Sequence, residues 1–363
     1  MDLDRRPILV FWESTRACGL ACAHCRAEAQ LAPAPGELTT AEAERFIGSL
    51  AGFGTPAPIL VITGGDALMR DDLDHLVSFA RDRKIRVALA PSVTPLLTDA
   101  RLASLRELGV KVASLSIDGA SPETHDRLRG IPDHLEASVA AIGRLRDHGF
   151  VVQINTTVTP ANVHELPAVA ELLVRNGASI WEVFSLVNVG RGTALAELTP
   201  DEHEDVAQFL YDASHYGFVV RTVEGPVFRR IVRWRQDGVA GPTGELYRRL
   251  TDELLERLGP PSSESRAQAR GTRDGRGIVF VSSTGDVTPA GFLPLPLGNV
   301  RDTSIVEIYR DDPTMQRLRA ADFAGPCGRC DLRDLCGGSR SRAYAATGDP
   351  FASDPACAYA ATI

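Results

Sequence analysis

Between residues 8 and 223 the sequence switches repeatedly between short apolar, β-branched runs and longer stretches whose apolar residues recur at helical spacing. The strand-like runs are 8–12, 58–62, 86–90, 110–117, 150–158, 180–187 and 218–223. Helical stretches fall between them at 39–53, 71–83, 99–108, 132–148, 166–176 and 201–216; Thr39 and Thr40 are suited to cap the first, with Glu42 and Glu44 in its opening turn. Such alternation permits few architectures, because parallel strands need helical crossovers. Six strand-helix repeats are too few for a closed eight-stranded barrel. The expected fold is therefore α/β, an open partial (β/α)6 barrel of the TIM type, with functional residues at the carboxyl ends of its strands.

Beyond residue 223 the period changes. Residues 229–235 and 246–258 read as helices, while 260–265 and 270–276 read as linkers. The arginines of 229–235 suit either an anionic substrate or a solvated helix face, and the solvated face is the preferred reading. Residues 277–289 form a hairpin signal around Thr284-Gly285-Asp286, followed by helical patches at 304–310 and 313–320. The expected organisation is a partial barrel over 1–223, a helical bridge and linker over 224–276, and a small cysteine-rich module over 277–363, within reach of a 363-residue chain.

The seven cysteines are segregated: three lie within the first 25 residues, four after residue 326, and none between. Cys18, Cys22 and Cys25 occupy one loop behind the first strand, in the pattern C-x3-C-x2-C. Structural zinc sites and cubane iron–sulfur clusters both usually take four protein ligands. A local set of three completed from elsewhere would make zinc; three alone would leave one iron open to a small molecule. Cys327, Cys330, Cys336 and Cys357 can close a coordination sphere, and their spacing alone does not separate zinc from an iron–sulfur cluster. The residues before Glu13 are too short for a signal peptide or a membrane span, so a cytoplasmic, reducing setting is expected, where cysteines favour metals over disulfides. A net charge of −8 argues against a nucleic-acid partner.

The first cysteine pattern resembles the radical S-adenosylmethionine (SAM) superfamily, and the second resembles its SPASM or Twitch C-terminal extensions. Gly285-Asp286-Val287-Thr288-Pro289 looks like the start of a SPASM pattern, but Ala290 stands where a full SPASM domain usually has a cysteine, which implies a single auxiliary cluster. The stretches Gly291 to Leu295, Gly298 to Arg301, Glu307-Ile308-Tyr309 and Cys336 to Arg342 resemble the subfamily of SAM-dependent heme synthases and heme d1 biosynthesis proteins. The resemblance implies two [4Fe–4S] clusters, one SAM-binding on Cys18, Cys22 and Cys25 and one auxiliary on Cys327, Cys330, Cys336 and Cys357, with SAM itself as cofactor. Gly64-Gly65-Asp66 matches the family's GGE motif with Asp for Glu. Ser116, Asp118 and Asn155, polar at presumed strand ends, suit ribose or carboxylate contacts or ordinary strand-end capping. His24 reads as a packing residue, His164-Glu165 lacks the second histidine of a zinc protease, and Gly190-Arg191-Gly192 would border the adenine.

The implied reaction is a two-electron oxidation in which a 5′-deoxyadenosyl radical abstracts hydrogen, with an electron donor such as a flavodoxin or ferredoxin. With all seven cysteines used as ligands, no thiol remains to return hydrogen, so a redox-neutral epimerisation is disfavoured. Oxidative decarboxylation of a tetrapyrrole is the first expectation. The alternatives are peptide maturation, dehydrogenation of an aminocyclitol or sugar, and, from another class, a non-enzymatic zinc protein. The substrate is thus a small molecule or a peptide, and neither nucleic acid nor membrane is an expected partner.

Overall fold

The computed structural model describes residues 2–269 and 271–359. Met1, Arg270 at the head of the second expected linker, and the last four residues of the expected 277–363 module lie outside the described residues.

Seven parallel strands stand side by side in chain order: β1 (Leu9–Glu13), β2 (Ile59–Thr63), β3 (Val87–Leu89), β4 (Val112–Ser116), β5 (Val151–Val158), β6 (Ile180–Ser185) and β7 (Val219–Val223). Helices separate them as the spacing predicts. Thr39 caps Thr40–Ser49 through a reciprocal pair, its hydroxyl accepting from Glu42 N and the Glu42 carboxylate accepting from Thr39 N.

The C-terminal segment continues this sheet. β8 (Ile278–Val281) lies parallel to β1 on the side away from β2, turns into β9 (Asp286–Thr288), and β10 (Gly298–Asn299) pairs antiparallel with β9. The ten-stranded sheet runs from β10 to β7 and stays open, giving the partial barrel.

Alternation along the strands separates two faces. Val10, Trp12, Leu60, Ile62, Ile154 and Trp181 are fully buried on the outer face under the helices, Trp12 meeting Phe46 edge-on at 5.7 Å. The inner face is mixed, with Phe11, Glu13, Ser116, Asn155, Glu182 and Phe184 on it.

Three regions differ from the sequence reading. A helix at Pro122–Arg129 was not expected; it has Pro at its first turn and ends at Gly130 in the left-handed region (φ 73°), but its buried face is Thr124, His125, Leu128 and Arg129, which carries almost no apolar pattern. The supposed linker 270–276 holds a buried corner instead. Arg273 donates to the carbonyl oxygens of Asp334 and Arg319, and Asp274 accepts from Ser341 N, so charged residues that look like a solvated loop tie the C-terminal segment in place. The arginine helix Val227–Gln236 is likewise only half solvated: Arg230 is buried against Glu204, while Arg233 is exposed.

Candidate functional site

The loop after β1 is fastened to the turn after β2 almost entirely through backbone. Ser14 N donates to Thr63 O, Gly65 N to Thr15 O at 2.7 Å and Asp66 N to Ala17 O at 2.6 Å. A Cβ at Gly64, whose φ is +145°, would sit 2.4 Å from Thr15 O, and one at Gly65 would sit 2.2 Å from Ala17 O. The close approach these glycines allow is therefore to the cysteine loop itself. Asp66 is fully buried, its Oδ1 accepting from Leu68 N and Ser92 N and its Oδ2 from Thr94 Oγ1. Burial pushes its carboxyl above the ordinary range.

The other side of the loop is gripped by two elements. Ala23 N donates to Leu128 O on the unexpected helix. The turn at Gly190–Ala194, expected beside an adenine, clamps the loop: Arg191 N donates to Cys25 O, Arg191 Nε to Cys22 O at 2.8 Å and Nη1 to Ala29 O at 3.1 Å. A Cβ at Gly190 would lie 2.4 Å from Arg26 O.

All three cysteines in this loop are free thiols, Cys18 and Cys22 buried and Cys25 half-buried. Donors converge on the sulfurs: Leu20 N lies 3.4 Å from Cys18 Sγ and Arg129 Nη1 lies 3.7 Å from Cys22 Sγ. Burial pushes the Cys18 and Cys22 thiols up, so thiolates here need a cationic centre to hold them.

Behind Cys22 stands Asp118. Its Oδ2 accepts from Arg129 Nη2 and lies 2.8 Å from His24 Nε2, its Oδ1 accepts from Thr157 N, and its own N donates to His125 Nδ1. Burial alone would raise the Asp118 carboxyl, but Arg129 and His24 hold it well below the ordinary range. Both carboxylate oxygens are turned into the protein, toward the support of the loop. His24, read from the sequence as a packing residue, hydrogen-bonds to Asp118. Glu165, from the dismissed His-Glu pair, braces the same region by accepting from Ala120 N and Ser121 N.

Ser116 and Asn155 are brought together, directly opposite each other in the β4–β5 register. The next partners in the row are Glu182 and Arg221, giving a polar stripe across four strands of the inner face. Gln153 Nε2 donates to both Asn155 Oδ1 and Glu182 Oε2. Burial raises the Glu182 carboxyl, with Arg221 opposing. Gln153, Glu182 and Arg221 escaped the sequence reading; the signal was their period-two placement inside apolar strand runs.

The four cysteines of the second group line one pocket, Cys327, Cys330, Cys336 and Cys357 together with Gly338 and Arg230 among others. Asp354 N and Leu332 N each lie 3.4 Å from a sulfur, of Cys327 and Cys330 respectively, and Arg340 Nη2 lies 3.7 Å from Cys327 Sγ. A Cβ at Gly338 would fall 3.2 Å from Cys327 Sγ and 2.8 Å from Asp354 Cβ. N–H groups aimed at the sulfurs suit thiolates that share an iron–sulfur centre. Among the described residues no helix is long and apolar enough to cross a membrane.

Comparison with known proteins agrees with this geometry. A family model described as the radical SAM superfamily matches residues 12–173, and one described as an iron–sulfur cluster-binding domain, SPASM, matches residues 273–331. The chain is 38% identical over 97% of its length to an AdoMet-dependent heme synthase of Nitratidesulfovibrio vulgaris, covering 92% of that protein. It is 36% identical over 98% of its length to an AdoMet-dependent heme synthase of Methanosarcina barkeri, covering 98% of that protein. In fold it resembles SuiB of Streptococcus suis bound to the precursor peptide SuiA, with a TM-score of 0.71 at 15% identity, covering 98% of this chain and 76% of that one. The chain belongs to the radical SAM superfamily and carries its SPASM iron–sulfur domain, an enzyme that uses SAM and two iron–sulfur clusters.

Proposed function

We propose that the protein oxidatively decarboxylates propionate side chains of a tetrapyrrole, a two-electron oxidation of its substrate. The observation that carries this reading is the 38% identity, over 97% of the chain, to a protein named AdoMet-dependent heme synthase. In this reading Cys18, Cys22 and Cys25 hold the SAM-binding cluster, and Cys327, Cys330, Cys336 and Cys357 hold the auxiliary one. When bound, the clusters would supply one-electron chemistry, reduction of SAM at the first site and uptake of the substrate's remaining electron at the second.

The chain's own residues position these events. Gly64 and Gly65 hold the β2 turn against the cysteine loop, presenting backbone polar groups to the methionine end of SAM, and Asp66 fixes that turn from inside. Ser116 and Asn155 face the lumen, where they meet the ribose or carboxylate. Asp118 acts one layer back, through Arg129, on the Cys22 sulfur. On the substrate, a –CH2–CH2–COO⁻ chain becomes a vinyl group as CO2, one hydrogen atom and one electron depart. All seven cysteines stand at the two sites, which leaves no thiol to return the hydrogen and supports net oxidation over epimerisation. The working setting is cytoplasmic, with a flavodoxin- or ferredoxin-type protein as reductant.

The test is anaerobic reconstitution followed by incubation with SAM, a reductant and iron coproporphyrin III. We expect about eight irons per chain, falling to about four in a Cys18/Cys22/Cys25→Ala variant, as for two cubanes. Wild type should release CO2 and 5′-deoxyadenosine together. SAM cleavage with peptides but never with tetrapyrroles would move the protein to the maturase reading.

A further inference from the structure

Arg26 follows Cys25 directly, so its Cα lies about 3.8 Å from that of the cysteine. Its Nη2 donates to Glu13 Oε2 at 2.8 Å, and its guanidinium carbon lies 4.4 Å above the centre of the Phe280 ring. Glu13 ends β1 and Phe280 belongs to β8, so the arginine spans the seam between the barrel and the C-terminal segment. Glu13 is 6% exposed and Arg26 is 21% exposed, so the carboxylate is the buried foundation and the guanidinium the outer group. Only Nη2 of the guanidinium has a hydrogen-bond partner among the described residues.

The surroundings are aromatic. Phe11 pairs in register with Phe280 on the inner face, and Phe292, in the loop after β9, meets Phe184 of β6 with ring centres 6.1 Å apart. Gly291 lies against the same pair, since a Cβ there would come 3.3 Å from the Phe280 ring and 3.6 Å from Arg26 Nε. One tethered guanidinium stacked on the Phe280 ring, next to a cluster ligand in the chain, is suited to a flat apolar ligand that carries a carboxylate on a short arm.

We infer that Arg26 binds the carboxylate of the substrate propionate that is to be lost, with Glu13 holding the guanidinium in place. This rests on the tetrapyrrole reading and adds the residue that presents the reacting arm to the cysteine loop. Anchoring the arm's end fixes the reach of its two methylenes, and departure of the carboxyl as CO2 removes the anchor, so the product is released from this contact by the reaction itself.

The experiment is a binding titration of the reconstituted protein with iron coproporphyrin III, followed by its intense absorption band, against the tetramethyl ester of the same compound. For wild type we expect the ester to bind at least tenfold more weakly than the acid. Arg26→Gln should weaken the acid at least tenfold and leave the ester unchanged; Arg26→Lys, which keeps the charge beside Glu13, should fall between. Arg83→Ala, an exposed arginine just past the end of the helix Leu73–Asp82, should change neither. Iron content is checked for each variant, and should Arg26→Gln lose its iron, Arg26→Lys decides by the same criterion with at least a threefold loss. Equal binding of the acid by wild type and an iron-replete Arg26 variant overturns the inference. Failure of wild type to bind either compound overturns instead the tetrapyrrole reading beneath it.

Discussion

Arg129 and Asp118 meet inside the protein, Nη2 to Oδ2 at 2.5 Å, with the carboxylate wholly buried and the guanidinium also reaching the Cys22 sulfur. Removing one partner of such a pair leaves an uncompensated charge in a low dielectric. Asp118→Asn is therefore expected to destabilise by about 3–5 kcal/mol, seen as a lower denaturation midpoint. Asp118→Asn combined with Arg129→Met should be less destabilised than the two single losses added together. Strict additivity would contradict the coupling.

Gly65→Ala places a methyl 2.2 Å from a backbone oxygen of the cysteine loop. Neither backbone can yield without parting the loop from β2, so iron bound at the first site is expected to be lost, roughly halving the total held by two cubane clusters. Gly143, inside the helix His134–Asp147, has nothing within 4 Å of an added Cβ. Gly143→Ala should stabilise by about 0.4–1 kcal/mol, and iron analysis of the two variants side by side checks the contrast.

His203 is buried on the helix Pro200–Ala213, and among the described residues its Nε2 has no hydrogen-bond partner. Burial first, then the positive charge of Arg342, lowers its pKa to about 3. The unfolded ring takes up a proton near its ordinary value, so acidification favours unfolding from about pH 6.5 downward, by about 2 kcal/mol at pH 5. His203→Leu should show a smaller drop in thermal midpoint between pH 7 and pH 5 than wild type.

Glu224 follows β7 and accepts from Ser339 Oγ and Ser341 Oγ, while the Ser341 hydroxyl also lies 3.1 Å from Asp274 Oδ2. Burial and the neighbouring Asp274 carboxylate raise the Glu224 carboxyl well above the ordinary range. An acid protonated in the folded state and ionised in the unfolded one withdraws stability as pH rises from its ordinary value toward its raised one. Glu224→Gln keeps a neutral group in place, and melting curves at pH 6 and pH 8.5 should show the variant losing less than wild type.

The strands and most helices were legible because apolar residues mark their periods, and the cysteines because few chemistries need thiols at those spacings. The supports were not. Asp118 reads as a polar strand end that would touch a ligand, yet its partners Arg129 and His125 lie on a helix whose buried face is polar, so nothing in the pattern announces that helix or the charge it buries. Arg191 and Arg273 look like loop arginines, and only the fold brings the cysteine loop and the 318–334 backbone within their reach. Long-range pairing of charged groups leaves no periodic trace. For that reason the cysteines were visible and the scaffold holding them was hidden.

β8 hydrogen-bonds to β1, the strand that launches the cysteine loop, with Leu9 opposite Ile278. Synthesis runs from the N-terminus, so β1 leaves the ribosome long before its neighbour on that side exists. Until then it presents an unpaired edge of Leu-Val-Phe-Trp to the cell. The sheet is therefore completed on that side of β1 only when the last quarter of the chain has been made.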